Sequence, residues 1–264
     1  MCDICGCNVT PGNRHLASQP VAHGTTAHDV LGRLLAANDR AAAHNRAHFD
    51  SHGLLAVNLM SAPGSGKTAL LEATADALKD QLRIAVLVGD LETENDAARI
   101  RARGVPALQI TTGSACHLDA HMVHEALHDL ALEGLDVLFI ENVGNLVCPA
   151  SFDLGEHRSV ALLSVTEGDD KPAKYPVLFR AADLVLLTKA DLAPHIEDFD
   201  AARAERCLRA LANSAPIHAL SARKRTNLEP WFGWLRAELA ALRAHPRHHA
   251  HGHHHHDHGE TVAR

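Results

Sequence analysis

Short, nearly unbroken apolar runs recur along the middle of the chain: LLAVNLM, IAVLVG, ALQIT, DVLFIE, VALLSV, DLVLLT and PIHAL. Runs of this length, apolar at successive rather than alternate positions, predict strands covered on both faces, as in a parallel sheet. Between them lie stretches with helical spacing, clearest at 67–81, 119–132, 200–212 and 228–243. Strand and helix alternate, so the pattern predicts an α/β domain over residues 51–244. Ahead of it, Val30, Leu31, Leu34 and Leu35 share one face of a predicted amphipathic helix over 27–50. That face requires a packing surface, and a second subunit is one candidate for it.

The two ends carry neither period. Residues 1–26 hold CDICGC and then a Gly-, Pro- and His-containing stretch, read as a metal-binding head and a flexible linker. After Ala244 the chain reads HPRHHAHGHHHHDHGETVAR, too polar to bury a core, which predicts a disordered tail over 245–264.

Composition narrows the chemistry. With 46% apolar and 22% charged residues the chain is of ordinary globular type. Its 25 Lys and Arg against 32 Asp and Glu give a formal charge of −7, which argues against nucleic acid as partner. Neither an apolar run of about 18 residues nor a basic-then-apolar opening is present, so no membrane partner and a cytoplasmic location are expected. Histidine stands apart: of 22, nine fall between His245 and His258, a composition that points to metal. Six cysteines in a reducing compartment read as thiolates for metal or catalysis rather than disulfides.

The sharpest local signal is SAPGSGKT, Ser61 to Thr68, leaving a predicted strand and opening a predicted helix. In that context Gly64 and Gly66 let backbone N–H groups approach phosphate oxygens, with Ser65 and Ala69 beside them. Lys67 reaches the β- and γ-phosphates, and the Thr68 hydroxyl holds Mg²⁺. Ser61 stands where a first glycine is usual. Asp90 and Glu141 end predicted strands, the edge at which α/β sheets bind ligands, and are candidates for Mg²⁺ or for positioning water. Gly144, three residues on, is a candidate γ-phosphate contact. TKAD, Thr188 to Asp191, and SAR, Ser221 to Arg223, follow two further strands and resemble guanine-recognition elements. Asp191 would accept from guanine N1–H and N2–H₂, Lys189 would lie along the base, and the Ala222 N–H would face O6. Thr188 replaces the usual asparagine.

Cys116 and His117, with Cys148 seven residues beyond Glu141, offer two thiolates and an imidazole, a set suited to Zn²⁺ or Ni²⁺. At the head, Cys2, Cys5 and Cys7 are close enough in sequence to share one cation, with zinc or disulfide formation left open. His117, His121, His124 and His128 are spaced by four, three and four, one stripe if a single helix carries them: a solvated face, or a track of weak stops for a metal ion.

Taken together, MCDICGC, NLMSAPGSGKT, GDLETENDAARI, TTGSACHLDA, FIENVGNLVCPA, SVTEGDDKPAKYP and TKADL resemble, in order, the hydrogenase nickel-incorporation GTPases of the HypB family, over about residues 1–243. The resemblance implies a P-loop NTPase fold of the SIMIBI type, hydrolysis of GTP to GDP and phosphate with Mg²⁺, and a GTP-dependent homodimer. It implies delivery of nickel to [NiFe]-hydrogenase maturation, with a nickel-delivery partner and the hydrogenase large subunit as partners. It further implies metal ligation by Cys116, His117 and Cys148 at the dimer interface and by Cys2, Cys5 and Cys7 at the head, and places Lys174 against the partner's nucleotide. Two rival expectations are a non-enzymatic nickel store with an idle nucleotide domain, and a urease-type maturation GTPase.

If Asp191 reads guanine, Asp191→Asn shifts preference from GTP toward XTP, because an amide donates where the carboxylate only accepts. Competition binding of the two nucleotides measures this, and an unaltered preference would show that the TKAD segment has another role.

Overall fold

The computed structural model describes residues 27–90, 94–113 and 115–244, with the side chains of 27–31 left aside. The predicted head and tail, including Cys2, Cys5 and Cys7, lie outside the described residues. Seven strands form one sheet: β1 Leu55–Ser61, β2 Ile84–Asp90, β3 Ala107–Thr111, β4 Val137–Glu141, β5 Arg158–Ser164, β6 Leu184–Thr188 and β7 Ile217–Ala219. Every pairing is parallel, in the order β3-β2-β4-β1-β5-β6-β7. The doubly covered α/β sheet expected from the unbroken apolar runs is therefore the fold adopted.

Alternation along the strands assigns the two faces. Leu55, Val57 and Leu59 of β1, with Val86 and Phe139, pack under α2 (Lys67–Leu78), α3 (Asn95–Arg101) and α8 (Glu229–Ala244). Ala56, Leu87, Leu138 and Ile140 face α1 (Ala27–Ser51) and α4 (Ala120–Leu127). Met60, Leu163 and Val185 meet α6 (Pro176–Ala181) and α7 (Ala201–Ala210), with α5 (Lys171–Lys174) preceding them. On the first face Trp231 is fully buried, and its indole N–H donates to Thr74 Oγ1 at 2.9 Å.

Four helices depart from the sequence reading. α3 has only Ala97 and Ile100 buried, too few apolar positions to declare a period. α5 and α6 each carry proline in the first turn, where the missing N–H costs nothing. α4 is shorter than the 119–132 expected: Asp119 caps it by accepting from the Met122 N–H at 2.8 Å, and it ends at Leu127.

The leading helix α1 packs on its own domain rather than needing a second subunit. Leu34, Ala42 and Phe49 are buried. The Asn38 amide donates to Asp153 O (2.8 Å) and its carbonyl accepts from the Ala120 N–H (2.9 Å). Asn45 donates to Ala120 O (2.8 Å) and Leu154 O (3.1 Å). At the end of the helix, His157 accepts at Nδ1 from the Ala56 N–H, so its Nε2–H donates to Asp50 at 3.0 Å. α1 thus brackets the start of α4 and the 153–157 segment together.

Removing the Asn38 side chain strips two bonds from this bracket, so Asn38→Ala is expected to lower unfolding free energy by about 1–3 kcal/mol. Urea denaturation measures it, and a change below about 0.5 kcal/mol, the scale of an ordinary surface substitution, would show that the bracket is not held by Asn38.

Candidate nucleotide and metal sites

β1 ends at Ser61 and α2 begins at Lys67, so residues 62–66 turn tightly between them. Gly64 (φ 73°) and Gly66 (φ 101°) take left-handed conformations that a side chain would strain. Lys67 is buried, and its ammonium donates to Ser61 Oγ at 3.0 Å. The serine in the usual glycine position is therefore the lysine's hydrogen-bond partner. Burial holds the Lys67 pKa below its ordinary value, opposed by the nearby carboxylates, Glu141 foremost.

The Thr68 hydroxyl donates to Glu141 Oε1 at 2.8 Å, while Glu141 Oε2 is buried with no hydrogen-bond partner among the described residues. Desolvation pushes the Glu141 carboxyl up to about 7, against the pull of Lys67 and Thr68. A threonine oxygen beside an orphaned carboxylate oxygen is a hard-donor set that a divalent cation completes, so Thr68 and Glu141 fit Mg²⁺. Asp90, half-buried at the end of β2, faces the same cleft of about 440 Å³, which Gly64, Gly66, Ala69 and Gly144 also line. Asp96 and Arg99, paired at 2.8 Å, complete its rim; sequence reasoning did not single them out. Ser65 turns its hydroxyl away, to Ala62 O (2.8 Å) and Glu167 Oε1 (2.5 Å).

Thr188 ends β6 and is buried, and its hydroxyl donates to Ser65 O at 2.7 Å. It ties the recognition loop to the phosphate loop instead of facing a base. Lys189 takes a positive φ of 55°, with Nζ 3.5 Å from Thr166 Oγ1. The Ala190 N–H donates to Leu220 O at 3.1 Å, which sets the loop bearing Lys189 and Asp191 against the strand end bearing Ser221 and Ala222. Ser221 and Thr226 exchange backbone bonds of 3.1 and 3.0 Å that fix the second loop. The two guanine-type segments, about thirty residues apart in sequence, are thus adjacent in the fold.

Cys116 Sγ and Cys148 Sγ lie 3.1 Å apart, and His117 Nδ1 is 3.8 Å from Cys116 Sγ. Ligand atoms of all three residues fall within 4.8 Å of one another. His117 is fully buried, stacked on Phe152 with ring centroids 4.0 Å apart, and its Nε2 has no hydrogen-bond partner among the described residues. Burial lowers the imidazole pKa to about 4, so the ring is neutral at pH 7 with a lone pair to give. Two sulfurs and one imidazole form a soft to borderline donor set. His117 precedes α4 and does not share a helical face with His121, His124 and His128, so the four-histidine stripe does not form.

One loop joins the two sites. Asn142, fully buried, follows Glu141 and accepts at Oδ1 from the Leu118 N–H (3.1 Å) and the Val143 N–H (2.9 Å). Asn145 donates to Cys116 O at 3.2 Å. At Gly144 a Cβ would stand 2.9 Å from Pro63 Cα, so the loop lies directly on the phosphate loop. Sequence reasoning missed Asn142 and Asn145, although both lie in the segment it singled out. Lys174 is exposed and pairs with Asp170 at 2.6 Å.

The nucleotide-binding-domain profile of the CobW/HypB/UreG family matches residues 55–219. Hydrogenase maturation factor HypB of Azotobacter vinelandii is 53% identical over 228 residues, covering 83% of this chain and 73% of that one. The protein of that name from Escherichia coli K12 is 51% identical, over 81% of this chain and 72% of its own. Among solved structures, HypB from Helicobacter pylori in complex with nickel superposes with a TM-score of 0.74 at 44% identity, over 78% of this chain and 96% of that one. HypB from Archaeoglobus fulgidus gives 0.72 at 40% identity, over 78% and 100% respectively. With this identity, this fold of the P-loop, SIMIBI-type class and a phosphate loop at the expected strand end, the chain belongs to the CobW/HypB/UreG nucleotide-binding family, among the hydrogenase maturation factors HypB.

Proposed function

We propose that the protein is a GTP-hydrolysing nickel metallochaperone that delivers nickel during [NiFe]-hydrogenase maturation. The observation that carries this reading is the loop from Glu141 to Cys148, which touches the phosphate loop at Thr68 and Pro63 and ends on a candidate metal-ligand sulfur. A store with an idle nucleotide domain has no use for such a connection. Ser61 and Thr188, the two departures that favour the idle reading, each make a hydrogen bond that holds the phosphate loop, to Lys67 and to Ser65 respectively. The thiolate and imidazole pair at Cys116-His117 favours the hydrogenase branch over the urease branch.

Catalysis is positioning and charge stabilisation. Backbone N–H groups from Gly64 to Thr68 cradle phosphate oxygens, and Lys67 leaves Ser61 Oγ to neutralise charge between the β- and γ-phosphates. Mg²⁺, when bound, supplies further neutralisation of the phosphates. Thr68 and Glu141 would hold it, with Asp90 lining the same cleft, and the Gly144 N–H would sense the γ-phosphate. Asp191, Lys189, Ser221 and Ala222 select guanine. Nickel is the cargo at Cys116, His117 and Cys148, where Zn²⁺ also fits, and a nucleotide-dependent homodimer completes that site, with Lys174 released from Asp170 toward the partner's nucleotide. Cys2, Cys5 and Cys7 form a separate metal-binding head, and the nickel-delivery partner and the hydrogenase large subunit are the clients.

Lys67→Ala is expected to reduce GTP turnover at least ~100-fold, while metal binding by the head persists. Phosphate release and metal titration on one preparation measure both, and loss of head binding would contradict the separation of the sites. The coupling through the 141–148 loop is read in a full-length variant with Cys2, Cys5 and Cys7 changed to Ser, by thiolate-to-nickel charge-transfer absorption. Nickel affinity at the remaining cysteines is expected to differ between GDP and a non-hydrolysable GTP analogue by a coupling of ~1–3 kcal/mol. Equal affinities at a protein concentration where the analogue drives dimerisation would remove the switch.

A further inference from the structure

Histidines from two helices meet on the outer side of the α1–α4 contact. Along α1, His44 and His48 are one helical turn apart, and His52 follows just beyond its end. His124 lies in the last turn of α4 and His128 caps it. The His44 and His124 rings meet edge-on with centroids 4.9 Å apart, and His124 and His128 do the same at 4.9 Å. Ligand atoms of His124, Glu125 and His128 all lie within 4.8 Å of one another. His124 is half-buried, and its Nδ1 is shut off from solvent with no hydrogen-bond partner among the described residues, as is Nδ1 of His48.

Hydrophobic packing does not account for this group, since imidazoles are a poor filler and a polar nitrogen withdrawn from water without a partner costs about 1–3 kcal/mol. Imidazoles at i and i+4 on one helix face form the minimal bidentate chelate. A third imidazole from a crossing helix turns that chelate into a tridentate set. Burial, then the neighbouring His44 and His128, lower the His124 pKa, which keeps its ring neutral.

We propose that His44, His124 and His128, with Glu125 as the adjacent carboxylate, form a second transition-metal site for a divalent ion of borderline character such as nickel or zinc. The site is distinct from Cys116, His117 and Cys148: it uses no sulfur, and its ligands on α4 lie about 6–12 Å along the axis from where that helix leaves the cysteine segment. Its ligands come from both α1 and α4, so a bound ion staples the two helices one turn along α4 from Ala120, where Asn38 and Asn45 already hydrogen-bond. The inference rests on these residues alone and stands whether or not the nucleotide domain hydrolyses GTP.

The test uses the full chain and reads individual histidines, because the head and tail would mask a bulk metal count. Diethylpyrocarbonate acylates an imidazole only through a free lone pair, and mass spectrometry assigns the rate to each residue. On titration with Zn²⁺, and separately Ni²⁺, labelling of His44, His124 and His128 is expected to fall together on one curve, while His195, exposed elsewhere, keeps its rate. His44→Ala, an exposed position on α1, is expected to raise the metal concentration that protects His124 and His128 by about tenfold or more. His128→Asn read at His44 provides the reciprocal measurement should the first variant disturb α1. In a Cys116→Ser background the three protections are expected to persist. Unchanged labelling of the three under both metals, or protection on α4 that neither variant weakens across the helix pair, would overturn the site.

Discussion

Eight residues of backbone, Glu141 to Cys148, join the Thr68 contact at one end to the cysteine–histidine cluster at the other, and the buried amide of Asn142 fixes their course. Its carbonyl takes the Leu118 N–H, one residue past His117, and its own side follows directly on the carboxylate that meets Thr68. Asn145 adds a second tie to Cys116. A shift of the loop at Gly144 therefore bears on the cysteine segment through these hydrogen bonds, and the one from Leu118 is buried, where a broken bond has no water to replace it. The parallel sheet is what makes the arrangement possible: β4 lies beside β1, so the segments leaving these strands emerge side by side.

The candidate metal ligands, Cys116, His117 and Cys148, come from two segments that secondary structure alone does not hold. Residues 115–119 form the entry to α4, and residues 148–157 form a short 3₁₀ turn and a bend. α1 supplies the missing rigidity, with Asn38 and Asn45 spanning Ala120, Asp153 and Leu154, and Arg46 pairing with Asp153 at 2.7 Å. Gly155 shows how close the approach is, since a Cβ there would stand 2.6 Å from Ala42 O. The helix ahead of the nucleotide domain thus buttresses both segments of the cysteine–histidine cluster, and the histidines of α1 and α4 lie on the same contact.

Ser61 and Thr188 show that a departure from a motif need not lose the contact its position makes. Each hydroxyl makes the tie its position requires: Ser61 accepts from Lys67, and Thr188 donates to the phosphate-loop carbonyl of Ser65. The chemistry needed at both places is a short polar group at hydrogen-bond distance, and more than one residue type supplies it.

What the chain itself determined is the fold and the chemical vocabulary of its sites. Apolar runs at every position require two covered faces, and glycines at 64 and 66 require a turn that only they adopt without strain. Cys116-His117 and Cys148 were legible because thiolates and imidazole are rare and specific in what they bind. Short helices such as Asn95–Arg101 were not legible, because two buried residues set no period. Nor was the meeting of His44 with His124, eighty residues apart, or the tie of Asn142 to Leu118, since local pattern carries no information about which distant surfaces meet. The four-histidine stripe failed for the same reason in reverse: even spacing makes a stripe only if one helix spans it, and the Asp119 cap starts α4 after His117. Residue type fixes which ligand or proton a group can hold, whereas burial and the choice of partner, which set its pKa and its geometry, arise only when the sheet brings separate segments together.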